Sequence, residues 1–377
     1  MTVGLRVPAA RPLGTARRPG ATRPLGAAAV ALTLVLLAGP AASAATPSVA
    51  TLQRLVGQRL MVAMDGTTPS PSLLARIGSG EVGGVILFGR NLTTKTALVA
   101  LTSQLHHAAT AAGQPPLLIA VDQEGGTIKR IPWAPPTLSP PQMGALASTP
   151  IARAQGLATG EALKALGIDV DLAPIADVPA STASFLYLQH RTWWFSASRT
   201  ASLAVAFAEG LQAGGVIPVL KHFPGLGYAT LDTDQHVVTI RASAAALSPG
   251  LLPYRMAVGA TLPAVMLSNA TYTAWDAHAA AGWSPAINTT LLRGQLGFRG
   301  VTMTDSLDGT AAARGLTASH LAERAAIAGT DLILLTGSEA TSRQAFSALL
   351  ADAESGRLPV TGLEASSNRI LALKNPA

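Results

Sequence analysis

Residues capable of chemistry cluster in the stretch 221–236. It begins Lys-His-Phe-Pro-Gly at 221–225, directly after the apolar run 216–220, and continues to Asp234 and His236. A lysine, a histidine and a glycine-rich turn after a buried strand suit a polar ligand better than core packing. If the segment is extended, Asp234 and His236 point the same way, so the carboxylate could orient the imidazole as a general acid/base. A polar surface loop is the alternative interpretation.

Other chemically capable residues also follow apolar runs. Asp305 ends the run 300–304, where its carboxylate could be a nucleophile or could cap the next helix. Asp122 begins the sequence Asp-Gln-Glu-Gly-Gly at 122–126, and Arg130 follows. Carboxylates with a guanidinium suit the binding of hydroxyl groups, although an exposed charged loop would have the same composition. No His/Asp/Glu cluster has metal-ligand spacing and no phosphate loop is visible, so we expect neither metal nor cofactor.

The elements that must position these residues form an alternating series. Segments with helical spacing of apolar residues alternate with eight apolar runs, at 59–64, 82–88, 116–121, 168–173, 216–220, 263–267, 300–304 and 331–335. This order predicts an α/β fold, and the number eight predicts a (β/α)8 TIM-type barrel as a single catalytic domain. Barrel enzymes act at the carboxyl ends of their strands, where the polar residues fall.

Composition argues against nucleic-acid binding. The 377 residues are 49% hydrophobic and 12% charged, which is sufficient for a large core. The net charge is +7, but five of the arginines lie in residues 1–44, which contain no acidic residue, so the remainder carries only +2. The basic charge is therefore concentrated in the leader and does not form a basic face.

Residues 1–44 are predicted to be a secretory signal peptide. Arginines precede an apolar run at 27–38, and Ala-Ser-Ala at 42–44 is a small-x-small cleavage site. The apolar run is short for a membrane span, so we expect no stable membrane insertion after cleavage; an uncleaved anchor is the alternative. The chain contains no cysteine, which excludes disulfides and a lipid-modified cysteine. We expect residues 45–377 to be an exported, extracellular monomer, with a wall-associated location as an open alternative.

Taken together, these stretches resemble glycoside hydrolase family 3, and within it the single-domain β-N-acetylhexosaminidase branch. The similarity covers roughly residues 50–374. The matching segments are GGVILFGRN (83–91), DQEGG (122–126), DLAPIADV (171–178), KHFPG (221–225), VMLSNATY (265–272), LLRGQLGFRGVTMTDSLDG (291–309) and RILALK (369–374). The chain ends soon after the eighth run, which favours this branch over the two-domain β-glucosidases.

The resemblance implies a retaining mechanism, in which a carboxylate attacks the anomeric carbon and water then hydrolyses the covalent glycosyl-enzyme. Asp305 matches the nucleophile. The matches to residues that hold the terminal sugar are Asp122, Arg130, Lys221 and His222, with Arg191 as a further match. In this branch a histidine supported by an aspartate, on a mobile loop after KHFPG, replaces the usual carboxylic acid/base.

The segment after KHFPG departs from the family pattern. Leu226 stands where histidine is usual, and Thr127 stands where arginine commonly follows DQEGG. Without gaps, the usual Asp-Ser-His places its aspartate on Asp232 and its histidine on Asp234. A two-residue insertion instead places the pair on Asp234 and His236. With that insertion, we assign the acid/base role to His236, oriented by Asp234.

The sequence thus predicts an exported exo-acting β-N-acetylglucosaminidase. It would remove terminal GlcNAc from peptidoglycan fragments or chitin-type oligosaccharides without a metal or cofactor. Two alternatives remain open: a sugar-binding homologue that has lost efficient catalysis, and a β-glycosidase for another terminal sugar.

Overall fold

The computed structural model describes residues 47–375, and the predicted signal peptide at 1–44 lies outside them. Eight parallel strands form one sheet: β1 (Leu60–Ala63), β2 (Gly84–Ile86), β3 (Leu118–Val121), β4 (Val170–Asp171), β5 (Ile217–Phe223), β6 (Ala264–Leu267), β7 (Val301–Thr304) and β8 (Ile333–Leu335). They pair in chain order, β1 pairs with β8, and a bridge between Met303 and Leu332 brings β7 to β8. The predicted TIM-type barrel is confirmed, although several strands are shorter than predicted.

Helices surround the barrel. Their bounds are Val49–Gly57, Pro71–Gly78, Lys95–Thr110, Pro140–Leu146, Thr149–Lys164, Phe185–Leu188, Ala197–Ala213, Ala244–Leu247, Leu252–Gly259, Leu307–Ala313, Ala318–Ile327, Glu339–Glu354 and Val360–Lys374, with a π-type helix at Ala286–Gln295. Many begin after a serine or threonine whose hydroxyl accepts a backbone N–H of the first turn, as at Ser70, Ser196 and Ser338. Each such cap contributes about 1 kcal/mol. None of the described helices is both long and apolar enough to cross a membrane.

Short strands outside the barrel brace its carboxyl end. Gln123–Gly125 pairs with Ile128–Lys129 directly after β3. A second small sheet joins Thr239–Ile240, Thr271–Tyr272 and Asp276–Ala280, from the loops that follow β5 and β6. The loops after β3, β5 and β6 are therefore tied to ordered backbone at one or both ends. The loops after β3 and β5 carry several of the predicted site residues.

The barrel interior is filled by side chains. The buried residues that form this inner cluster include Met61, Ile86, Leu118, Val170, Leu172, Val219, Met266, Met303 and Leu334. Packed interiors of this kind leave no pore, so a ligand can enter only at the rim. At the amino end of β8, the buried Asp331 carboxylate accepts hydrogen bonds from Arg293, Thr302, Ser366 and Arg369. These bonds tie the last helix to the barrel at the end opposite the candidate site.

The helices Thr149–Lys164 and Ala197–Ala213, which precede β4 and β5, meet through glycines. A Cβ atom on Gly156 would lie 2.1 Å from the Phe207 carbonyl oxygen, and one on Gly210 would lie 2.2 Å from that of Arg153. Only glycine allows the two backbones to approach this closely. The close contact fixes the spacing of β4 and β5, whose carboxyl ends carry Asp171, Lys221 and His222.

Candidate active site

A cavity of about 420 Å³ opens at the carboxyl ends of the barrel strands. Its size lies in the range of roughly 300–1,000 Å³ that is usual for small-molecule sites. Predicted site residues that line it are Asp122, Arg130, Arg191, Lys221, His222, Asp234 and Asp305. His236 is not among the lining residues. The structure thus brings together side chains that lie up to 183 positions apart in the chain, between Asp122 and Asp305.

A network of charges forms one wall of the cavity. The Lys221 Nζ atom lies 2.8 Å from Asp122 Oδ1 and 2.8 Å from Glu124 Oε1. Arg191 makes a two-point contact to Glu124, with Nε–Oε2 and Nη2–Oε1 distances of 2.9 and 2.7 Å. Arg130 Nη2 lies 3.5 Å from Asp122 Oδ2. Because the groups fix one another, they present donors and acceptors in set positions, as recognition of hydroxyl groups requires.

The same contacts fix the protonation of this network. Burial alone would raise the pKa of Glu124, but the charges of Arg191 and Lys221 outweigh it and lower the pKa to about 2. Burial also opposes the charged forms of Asp122 and Lys221. The mutual attraction of these two groups nevertheless lowers the pKa of Asp122 and raises the pKa of Lys221. All three groups therefore stay charged across neutral pH.

Asp171, at the end of β4, behaves differently. Its Oδ1 atom accepts the Gln123 N–H at 2.9 Å, while its buried Oδ2 atom has no hydrogen-bond partner among residues 47–375. Burial is the main cause that raises the pKa of Asp171 to about 8, against the opposing effects of the Gln123 N–H and the Lys221 charge. Asp171 is therefore mostly protonated at neutral pH and adds little negative charge to the neighbouring network.

Replacing this carboxyl group should change how stability depends on pH. The pKa of Asp171 is raised in the folded protein, so the folded state binds more protons than the unfolded chain between about pH 4 and 8. Stability is therefore lost as the pH rises through this window. Asp171→Asn keeps the shape of the side chain but cannot ionise. It should therefore remove the part of this stability loss that Asp171 causes, while leaving stability below about pH 4 nearly unchanged.

Urea unfolding followed across this pH range measures the effect, with Asp65→Asn, at an exposed loop position, as the matched control. The control should show the wild-type pH dependence. An Asp171→Asn protein with the same pH slope as the wild type would contradict the raised pKa.

His222 is oriented by a buried carboxylate. Its Nδ1 atom lies 2.8 Å from Asp177 Oδ2, and its backbone N–H donates to the same oxygen at 3.1 Å. The other oxygen of Asp177 accepts the backbone N–H of Leu226. Because a carboxylate accepts, the hydrogen-bond network places a proton on Nδ1. The second ring nitrogen, Nε2, then points toward Asp305, whose Oδ2 lies 3.9 Å away.

Asp305 follows β7 and lies opposite the charged wall. Its N–H donates to the Leu267 carbonyl at 3.0 Å, and its Oδ1 accepts the Ser306 N–H at 2.8 Å. Ser306, not Asp305, occupies the cap position of helix Leu307–Ala313, which argues against the capping interpretation. The Asp305 side chain remains 15% exposed on the cavity side. A fixed, accessible carboxylate of this kind has the geometry of a nucleophile.

The segment 232–236 forms a turn, not the extended stretch in which Asp234 and His236 would point the same way. The N–H groups of Gln235 and His236 donate to the Asp232 carbonyl at 3.2 and 3.0 Å. The Asp234 N–H donates to Asp232 Oδ1 at 3.0 Å. Asp234 lines the cavity, whereas His236 is exposed and does not. The extended geometry on which the pairing of Asp234 with His236 depended is therefore absent. The catalytic role of His236 remains a prediction.

Three further residues belong to this region but were not predicted from the sequence to be site residues: Glu124, Asp177 and Asn269. Each lies inside a quoted motif, in DQEGG, DLAPIADV and VMLSNATY respectively. Each also follows a barrel strand closely, which was the signal available in the sequence. Among residues 47–375, no group of three or more His, Asp or Glu side chains has an arrangement that could hold a metal ion.

A (β/α)8 barrel with carboxylates, cations and an imidazole converging at its carboxyl rim places this protein among the barrel enzymes. The profile described as Glycosyl hydrolase family 3 N terminal domain matches residues 51–373, and the chain belongs to that family. The predicted family is thus confirmed.

Individual relatives agree with this assignment. A protein of Arthroderma benhamiae described as an uncharacterized secreted glycosyl hydrolase is 33% identical over 90% of this chain and 98% of its own length. A solved β-N-acetylhexosaminidase from Beutenbergia cavernae is 34% identical, with a TM-score of 0.78 over 86% of this chain and 98% of the other. A solved family 3 β-N-acetylglucosaminidase from Paenibacillus is 31% identical, with a TM-score of 0.82 over 86% of this chain but only 62% of that longer chain. The protein is a glycoside hydrolase that acts on O-glycosyl bonds.

Proposed function

We propose that this protein is an exported, retaining exo-β-N-acetylglucosaminidase. Its substrates would be peptidoglycan fragments or chitin-type oligosaccharides with a terminal GlcNAc. The observation that carries the proposal is the position of the Asp305 carboxylate in the same cavity as the charged network of Lys221. The first supplies a nucleophile, and the second supplies fixed partners for hydroxyl groups.

The cavity is the place where the substrate would bind. The barrel interior beneath it is packed with apolar side chains, so a sugar could be held only at the rim. The terminal sugar would be held by Asp122, Arg130, Arg191, Lys221 and His222.

The choice of GlcNAc rests on the relatives. The Paenibacillus and Beutenbergia structures are named a β-N-acetylglucosaminidase and a β-N-acetylhexosaminidase. Export rests on the predicted signal at 1–44 and on the word "secreted" in the description of the Arthroderma protein. In the proposed reaction, Asp305 attacks the anomeric carbon to form a covalent glycosyl-enzyme, and water then releases the sugar with its β-configuration retained. The proton donor would come from the segment 226–236.

Hydrolysis of nitrophenyl β-GlcNAc and nitrophenyl β-glucoside tests this proposal, with proton NMR recording which anomer is released first. We expect turnover of the GlcNAc compound, preference over the glucoside, and initial release of the β-anomer. Initial release of the α-anomer would contradict the retaining mechanism. Binding of GlcNAc without turnover of either compound would favour the sugar-binding alternative, to which Leu226 and the exposed His236 point.

A further inference from the structure

We propose that Asp234 is itself the general acid/base of this glycosidase, in place of the His236 assigned from the sequence. This inference rests on the proposed function and names a catalytic residue within it. Asp234 and Asp305 line the same cavity, from the loop after β5 and the end of β7. Two carboxyl groups that flank one ligand position are the usual equipment of a retaining glycosidase.

The elements around Asp305 hold Asp234 in place. The Asn269 side chain donates from Nδ2 to Asp234 Oδ1 at 3.4 Å and to the Ser306 carbonyl at 2.7 Å. Gly309, in the helix that follows Asp305, lies directly against the turn, because a Cβ atom there would be 2.5 Å from the Asp234 carbonyl oxygen. The turn is thus docked on the helix that follows Asp305, and Asn269 links it to Ser306, the residue next to Asp305.

The register of the chain agrees with this placement. In the gapless alignment with the family pattern, Asp232 and Asp234 occupy the positions of the usual Asp and His. The structure places both in the cavity lining, while His236 is exposed outside it. No insertion is then needed, and the acid/base has changed from an imidazole to a carboxyl group at the same position. Asp232, whose Oδ1 accepts the Asp234 N–H, keeps a supporting role.

The charges that face Asp234 favour its protonated form. Asp234 is exposed at the mouth of the cavity, yet its carboxyl group lies among protein atoms and beside other carboxylates. Burial first, and then the charges of Asp305 and Asp232, raise the pKa of Asp234 to about 8, with smaller opposing effects from Asn269 and Arg191. An acid that is still protonated at neutral pH can donate its proton, as a general acid must.

The two half-reactions balance with these residues alone. In the first, an Asp305 oxygen bonds to the anomeric carbon, the bond from that carbon to the leaving oxygen breaks, and Asp234 gives its proton to this oxygen. The aglycone leaves as an alcohol and Asp234 becomes a carboxylate. In the second, Asp234 takes a proton from water, whose oxygen bonds to the anomeric carbon as the bond to Asp305 breaks.

The test is the leaving-group dependence of Asp234→Asn. Loss of a general acid should lower kcat/KM by about 10²–10⁴-fold for an aryl β-GlcNAc with a weakly acidic phenol. The loss should be much smaller for the dinitrophenyl compound, whose phenol leaves without a proton. Gln235→Ala, at an exposed position of the same turn, is the matched control and should keep wild-type kinetics. His236→Gln should lack the leaving-group dependence.

Azide gives a second readout that a purely structural role would not produce. With the dinitrophenyl substrate, azide should accelerate Asp234→Asn and yield the β-glycosyl azide, because azide needs no general base.

The pH profile gives a third readout. The wild-type kcat/KM should fall on the alkaline side with an apparent pKa near that of Asp234, and this alkaline limb should disappear in Asp234→Asn.

Two outcomes would overturn the assignment. One is leaving-group dependence and azide rescue in His236→Gln but not in Asp234→Asn. The other is equal losses of Asp234→Asn on both substrates without rescue. Failure of the proposed function is a separate result, because the wild type would then hydrolyse no aryl β-GlcNAc at all.

Discussion

Asp305→Asn is expected to lower kcat/KM for aryl β-GlcNAc by on the order of 10⁴-fold or more, as removal of a covalent nucleophile does in other enzymes. The amide cannot form the glycosyl-enzyme, so the loss should be as large for a dinitrophenyl substrate as for a weakly acidic phenol. This result distinguishes the nucleophile from the acid/base, because the activity lost on replacing the acid/base depends on the leaving group. Folding should be preserved, because the amide oxygen can still accept the Ser306 N–H.

Initial rates and thermal unfolding, measured on the same preparations, check this prediction. Glu364→Gln is the matched control, because Glu364 is exposed on the last helix, far in sequence from the cavity residues. It should retain wild-type activity and stability. Full activity of Asp305→Asn in a preparation free of wild-type protein would remove Asp305 from the mechanism.

Lys221→Met is expected to lower the free energy of unfolding by about 3–5 kcal/mol, the usual cost of removing one partner from a buried ion pair. The Lys221 ammonium lies between the Asp122 and Glu124 carboxylates, and the Lys221 side chain is only 3% exposed. Methionine fills a similar volume, so the loss reports uncompensated negative charge and not a cavity. The pKa values of Asp122 and Glu124 should rise as a result.

Urea unfolding measures the loss. Lys164→Met is the control, because Lys164 makes a 3.6 Å ion pair with Asp169 while its side chain is 58% exposed. Exposed pairs of this kind contribute only about 0–1 kcal/mol. If the two variants were destabilised equally, the buried network would not have the energetic role assigned to it here.

The convergence of Asp122, Lys221 and Asp305 could be predicted from the sequence because it depends on topology. Each residue ends an apolar run, and the carboxyl ends of parallel strands meet at one rim whatever the details of packing. The barrel itself was predictable for a similar reason, since eight continuous apolar runs alternate with segments of helical spacing.

The arrangement within the rim was not predictable in the same way. Glu124 and Asp177 are partners of Arg191 and His222 through contacts between distant segments, and no local pattern encodes those pairs. The segment 232–236 has no periodicity, and its turn is set by hydrogen bonds to Asp232 and by docking on Gly309. A prediction based on the side-chain alternation of an extended strand fails for such a loop, because tertiary contacts determine its backbone conformation.

The bond from the Leu226 N–H to Asp177 also holds the start of the loop. Gly227 is pinned as well, since a Cβ atom there would lie 1.7 Å from the Val178 carbonyl oxygen, and its own carbonyl accepts the Ala180 N–H. The loop is therefore held at both ends, by Asp177 and Val178 at Leu226 and Gly227, and by Asn269 and Gly309 at Asp234. The position of the Asp234 carboxyl group and the orientation of the His222 imidazole thus depend on different neighbours.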